Sequence, residues 1–164
     1  MKLFITGGSG FIGRNLRECL SGKHEILAPT HSELELTDEN AVGDLFNNNA
    51  IDGVVHNAVR PGHRNAKDSS NQLFNNTRMF FNLVRNSDRF GKMIIISSGA
   101  VYDVRHWVPK AKEEYFDSHI PVDEGGFSNI SQQNISRTPT ILLSCGPSGC
   151  SGNMRTMPSG SSQI

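Results

Sequence analysis

The chain has 164 residues, with 16 basic and 16 acidic side chains and a formal net charge of zero. With no basic run in it, nothing favours electrostatic capture of nucleic acid or of an acidic membrane, and a small-molecule partner fits better. No stretch approaches the roughly eighteen apolar residues of a membrane span, and the N-terminus enters a strand directly, so neither a span nor a signal peptide is predicted and the expected location is cytoplasmic.

Taken in chain order, the pattern predicts a strand over 2–6, a helix over 11–21, a strand over 24–28, a helix over 38–47, a strand over 53–57, a helix over 71–89 and a strand over 92–97. The first strand, Lys2-Leu3-Phe4-Ile5, runs straight into Thr6-Gly7-Gly8-Ser9-Gly10-Phe11-Ile12-Gly13. The helix that follows places Phe11, Ile12, Leu16, Cys19 and Leu20 near helical spacing and ends at Ser21-Gly22. Thr37 or Asp38 can cap the second helix, with Glu39 in its first turn, and Asn71 can start the third. Strands alternating with amphipathic helices imply right-handed crossovers and an α/β fold. The expected architecture is a doubly wound parallel sheet of the Rossmann type, incomplete, with four clear strands.

The glycines are the chemical clue. A pyrophosphate sits at a helix N-terminus only where the backbone comes close enough for unpaired N–H groups and the positive helix end to face its oxygens. Gly7 permits the tight turn, Gly10 the close approach, and Gly13 lets the helix lie against the strand. A dinucleotide is the expected ligand. The end of the second strand reads Pro29-Thr30-His31-Ser32, without the acid that accepts bonds from a ribose 2′-hydroxyl and repels a 2′-phosphate. This tilts the choice between NAD and NADP toward NADPH, although Glu33 could curl back. Arg14, beside the cradle, could meet a phosphate. Arg60, His63, Arg64 and Lys67 follow the third strand at the carboxyl edge, where they could bind a substrate diphosphate or form a solvated polar loop. Trp107 lies in the loop after the fourth strand, where it could stack on a sugar or base or pack on the domain. No histidine has metal-ligand spacing, so no metal is assigned, and Cys19, Cys145 and Cys150 read as buried or incidental thiols.

The G-x-x-G-x-x-G spacing preceded by Thr6 resembles the short-chain dehydrogenase/reductase superfamily, specifically its extended branch of nucleotide-sugar epimerases, dehydratases and reductases. Ile51-Asp52-Gly53-Val54-Val55-His56-Asn57-Ala58 is similar to that family's fourth-strand ending beside the cofactor ribose, and Asn76 with Asn82-Leu83-Val84 resembles its following helix. Met93 through Tyr102 is similar to its S-S-x-x-V-Y stretch. The resemblance implies NAD or NADP as cofactor and a nucleotide-linked sugar as substrate. It implies cofactor contacts from Gly7, Gly10, Phe11, Ile12, Gly13, Arg14, Thr30, Glu35, Leu36, Asn57, Ala58, Asn76 and Ser97. Ser98 would bind and polarise the substrate. Such enzymes need about twice this length, so the substrate domain is expected to be missing.

In that superfamily a tyrosine phenolate, stabilised by a lysine one helical turn on, transfers the proton. Here His106 stands four residues after Tyr102 and His119 four after Tyr115, so no Y-x-x-x-K exists. Gly125 and Asn129 occupy the matching positions after Pro121-Val122-Asp123-Glu124. Composition breaks nearby: every Asp and Glu lies at or before Glu124, every Lys at or before Lys112, and residues 144–164 are rich in Ser and Gly. Back-translating the residues from Asn129 onward and shifting the frame by one base allows Cys145 through Asn153 to read R-P-F-G-V-F-G-K, close to a strand and loop of the family. Residues 1–128 are therefore expected to form the NAD(P)-binding domain, and 129–164 a non-native or disordered tail from a single-base deletion near the Ser128 codon. Thr140-Ile141-Leu142-Leu143 could add a makeshift strand; otherwise the unpaired sheet edge favours self-association. The alternative is a non-catalytic module that binds or senses NAD(P).

Overall fold

The structure, a computed structural model, describes residues 1–62, 70–110, 112–135 and 141–145. Its element order is β1 (Lys2–Ile5), α1 (Phe11–Leu20), β2 (Glu25–Leu27), α2 (Glu39–Asn48), β3 (Gly53–His56), α3 (Gln72–Val84), β4 (Lys92–Ser98), α4 (Glu124–Ile135) and β5 (Ile141–Cys145). The strands form one parallel sheet in the order β2-β1-β3-β4-β5. The chain steps from β1 outward to β2, then returns across β1 and continues the other way. Right-handed crossovers therefore put α1 on one face and α2, α3 and α4 on the other.

All seven predicted elements are present, with differences at their ends. The third helix stops at Val84 rather than 89, and residues Ser87–Arg89 form a separate short turn. Asn86 explains this: its buried side-chain amide donates to the Asn82 carbonyl at 2.9 Å, taking an acceptor that the next helical turn would use. Asp38 caps α2, its carboxylate accepting from the Asn40 and Ala41 N–H groups, while Asn71 starts α3 in a left-handed conformation without a side-chain cap bond.

Two elements go beyond the predicted set. Asp123 accepts from the Gly126 N–H at 2.7 Å and starts α4, which runs through residue 128 without a break. The second is β5, at the site of the expected makeshift strand, where Ile141 to Cys145 pair in register with Ile94 to Ser98. Sheet pairing, rather than helical or strand periodicity in the local sequence, defines it. Thr140 and residues 146–164, including Cys150, lie outside the described residues.

The core sits between the sheet and helices α2 and α3. Phe4, Val54, Met93 and Ile95 supply the strand side, and Val42, Phe46, Met79, Phe80 and Leu83 the helix side. Phe46 meets Phe4 edge-on at 5.8 Å and stacks on Phe90 at 5.5 Å, arrangements that suit the ring quadrupole. Helix α4 buries Ser128, Gln132 and Gln133 alongside Ile130. Helix α1 buries only Gly13; Phe11 and Cys19 are exposed, so of the two expectations for Cys19, a buried or an incidental thiol, burial is not met. No helix among the described residues is long and apolar enough to cross a membrane.

Candidate functional site

Where β1, β3 and α1 meet, the backbone is drawn together by one hydroxyl. The Oγ1 of Thr6 accepts from the N–H groups of Asn57 and Ala58, each at 3.0 Å, so its own proton is left for Nδ1 of His56 at 2.9 Å. His56 is then neutral, with its proton on Nε2. Burial favours the same neutral form, pushing the His56 pKa down to about 4.

Above this clamp the chain turns at Gly7, whose φ of +66° lies in the left-handed region and whose added Cβ would stand 2.9 Å from the Ala58 backbone. Gly13 is tighter still. A Cβ there would lie 2.2 Å from the Gly7 carbonyl oxygen and 2.7 Å from the Gly8 Cα, so no other residue fits. Gly13 thus lets the helix press against the glycine loop that continues β1. The α1 N-terminus begins at Gly10 with no side-chain cap, unlike that of α2. Uncapped N–H groups beside glycine backbone fit a pyrophosphate.

A cleft of about 640 Å³ opens from this cradle. Of the residues expected to contact a cofactor, Gly7, Gly10, Phe11, Ile12, Glu35, Leu36, Asn57 and Ala58 line it, together with Thr6, Ser9, His31, Arg60 and Met79. Gly13 is buried and not among the lining residues. Arg14 is exposed, and neither it nor Thr30 is among the lining residues. Glu33 turns onto Thr30 and is not among the lining residues: its carboxylate accepts from the Thr30 N–H at 2.7 Å and hydroxyl at 2.8 Å, and these bonds lower its pKa. Burial works to raise the Glu35 carboxyl, but the Thr37 N–H and hydroxyl, with His31 and Arg60 nearby, hold it below its ordinary value. Asn76 is buried under the opposite wall, its Oδ1 accepting from the Arg60 N–H at 2.6 Å. It supports that wall and does not line the cleft. His63, Arg64 and Lys67 lie outside the described residues.

Ser97 and Ser98 end β4, away from this cleft and beneath α4. The Gln133 amide donates to the Ser97 hydroxyl, and the Asn129 amide stands 3.4 Å from the Ser98 hydroxyl. Nearby, Asp103 is buried and held well below the usual carboxylate range, first by the Arg105 guanidinium. Tyr102 stacks on Tyr115 at 6.3 Å, and the Tyr115 hydroxyl donates to the His106 carbonyl. Trp107 is exposed, its indole N–H donating to the Tyr102 carbonyl. No group of three or more His, Cys, Asp or Glu among the described residues could hold a metal.

Sequence reasoning noted Thr6 and His56 but assigned neither to the site. The detectable signal was a hydroxyl residue directly before the first glycine and a histidine directly before Asn57-Ala58.

A parallel sheet with a glycine cradle at the β1–α1 turn defines a dinucleotide-binding Rossmann-type fold. The sequence model of the NAD dependent epimerase/dehydratase family matches residues 3–123, and the chain belongs to that family. It is 39% identical over 106 residues to a GDP-L-fucose synthase of Azorhizobium caulinodans, a match covering 62% of this chain and 34% of that protein. To the GDP-L-fucose synthase of Escherichia coli it is 27% identical over 130 residues, covering 75% and 40%. The chain thus spans between a third and two fifths of the curated relatives it matches. Its fold is similar to that of the GDP-mannoheptose C4 reductase from Campylobacter jejuni with NADP bound, with a TM-score of 0.75 at 22% identity over 88% of this chain and 50% of that one.

Proposed function

We propose that this chain is the NAD(P)-binding part of a nucleotide-sugar epimerase, dehydratase or reductase that works by hydride transfer, with a GDP-linked sugar as the substrate class. The observation that carries the reading is Gly13, whose position against the Gly7 carbonyl serves a close backbone approach at an uncapped helix start. Titration with NADPH and NADH, followed by cofactor fluorescence, tests it. Saturable binding that disappears in Gly13→Val, with the fold retained, is expected; binding unchanged by that substitution overturns the reading.

NADPH is proposed as the tighter ligand. Glu33 is folded onto Thr30 and does not line the cleft, and Glu35, the carboxylate that does, already accepts from the Thr37 N–H and hydroxyl. NADH binding at least as tightly as NADPH refutes this preference.

The chain itself is proposed to be catalytically incompetent. The positions matching a proton-transferring tyrosine and its lysine are Gly125 and Asn129, and losing positioned acid–base chemistry costs on the order of 10²–10⁴-fold in rate. We attribute residues 129–164 to out-of-frame translation. The inner face of α4 beyond Ser128, where Gln132 and Gln133 are buried and Ile130 is the one buried apolar side chain, supports this because a helix selected to pack on a sheet would bury mostly apolar side chains there. DNA sequencing decides: a gene without a family-like continuation in the shifted frame refutes the attribution.

A second reading, a module that binds NAD(P) without chemistry, is favoured by the amides of Asn129 and Gln133 standing at the hydroxyls of Ser98 and Ser97. Tight cofactor binding by a stable chain from an intact reading frame would select it. Cytoplasmic location and self-association through an unpaired sheet edge belong to the first reading, and a clean monomer by light scattering counts against the latter.

A further inference from the structure

Residues 28–38, between β2 and α2, form one wall of the cleft without belonging to a strand or helix. Their shape is held from outside. The buried side-chain amide of Asn82 donates to the Leu36 carbonyl at 2.8 Å, and Nε of Arg78 donates to the Thr37 carbonyl at 2.6 Å. Asn82 and Arg78 are four residues apart on α3 and share one face, so a single helix fixes two successive carbonyls of the wall. The Arg78 guanidinium lies 5.9 Å from the ring of Phe74, one turn earlier, which restrains it. Within the wall, Glu35 accepts from both donors of Thr37. Asn82 Oδ1 is held in turn by Arg85 at 2.9 Å.

We infer that Asn82 and Arg78 are positioning residues for the adenosine end of the cleft: they hold Leu36 and Thr37 at the depth where a nucleotide's base and ribose would lie. The inference rests on the cofactor reading above. It is local to this end because the β2 terminus is where the adenosine half of a dinucleotide sits in a doubly wound fold. Leucine at position 82 has nearly the same shape but leaves the Leu36 carbonyl without its donor. The wall must then shift outward to find water.

The test is calorimetric titration of the whole chain with AMP, nicotinamide mononucleotide and NADPH, comparing wild type with Asn82→Leu, Asn82→Asp and Arg78→Ala. Each variant is expected to bind AMP and NADPH about fivefold more weakly, the size of one net hydrogen bond, with nicotinamide mononucleotide unchanged. Asn82→Asp keeps an acceptor for Arg85 but loses the donor to Leu36, so its AMP loss assigns the effect to the wall. Should Asn82→Leu fail to fold, Arg78→Ala, a change at an exposed side chain, carries the test. Wild-type AMP affinity in the folded variants, or equal weakening of both mononucleotides, overturns the inference while NADPH binding by wild type leaves the cofactor reading intact. Absence of any nucleotide binding by wild type overturns both.

Discussion

The two faces of the sheet are built differently. On one, α2 and α3 close over Phe4, Val54, Met93 and Ile95, and Phe80, Leu83 and Val42 are fully buried. On the other, α1 is the only helix among the described residues. Burial there declines along the registered row from Ile5, fully buried, through Val55 at 7% to Ile94, which is only half-buried. Strand β4 shows the contrast within itself: Met93, Ile95 and Ser97 are buried, while Ile94, Ile96 and Ser98 between them are not. Stability is therefore concentrated on the α2–α3 face, and the glycine cradle stands at the seam between the two.

The largest effect expected from this contrast is Phe80→Ala, which removes a fully buried ring from the dense face and should cost about 3–5 kcal/mol in urea unfolding. A cost near that of a surface substitution would erase the distinction between the faces.

Acid attacks the same face through His56. Its folded-state pKa lies below the ordinary value, so between roughly pH 6.5 and about 4 the unfolded chain takes up a proton that the folded chain refuses. Stability present at neutral pH is lost as pH falls through that window, by up to about 3 kcal/mol, and levels off below it. His56→Asn should flatten this part of a pH–stability profile; an unchanged slope assigns the acid sensitivity elsewhere.

Asp38→Ala removes the α2 cap and should cost about 1 kcal/mol, measured by thermal melting. At the small end, Phe11→Ala on the thin face should stay within about 0.5 kcal/mol, because the ring is 78% exposed. A larger loss would mean that α1 is better covered in solution than the described residues show.

Much of this architecture was legible before any coordinates. Periodicity placed the first seven elements because each carries a local stripe or a short apolar run in its sequence, and β3, buried at all four positions, reads that way directly. Helix α4 was not legible, since Gly125, Gly126 and a largely polar run from Ser128 to Asn134 carry no helical stripe. The candidate site was half legible. Glycine positions are written in the sequence because only glycine tolerates what the backbone does there, whereas Asn76 and Thr30 match a pattern without lining the cleft.

The sequence by itself determined that this protein builds a glycine cradle at the start of a parallel sheet, and that no tyrosine in it has a lysine four residues on. Only the tertiary structure decided what shapes that cradle and the cleft wall facing it: Thr6 against His56, 50 residues apart, and Asn82 against Leu36, 46 residues apart. Backbone turns answer to local sterics and leave their mark residue by residue. Polar partners brought together by strand register and helix placement leave no such mark, since nothing near Asn82 in the chain says which carbonyl it will meet.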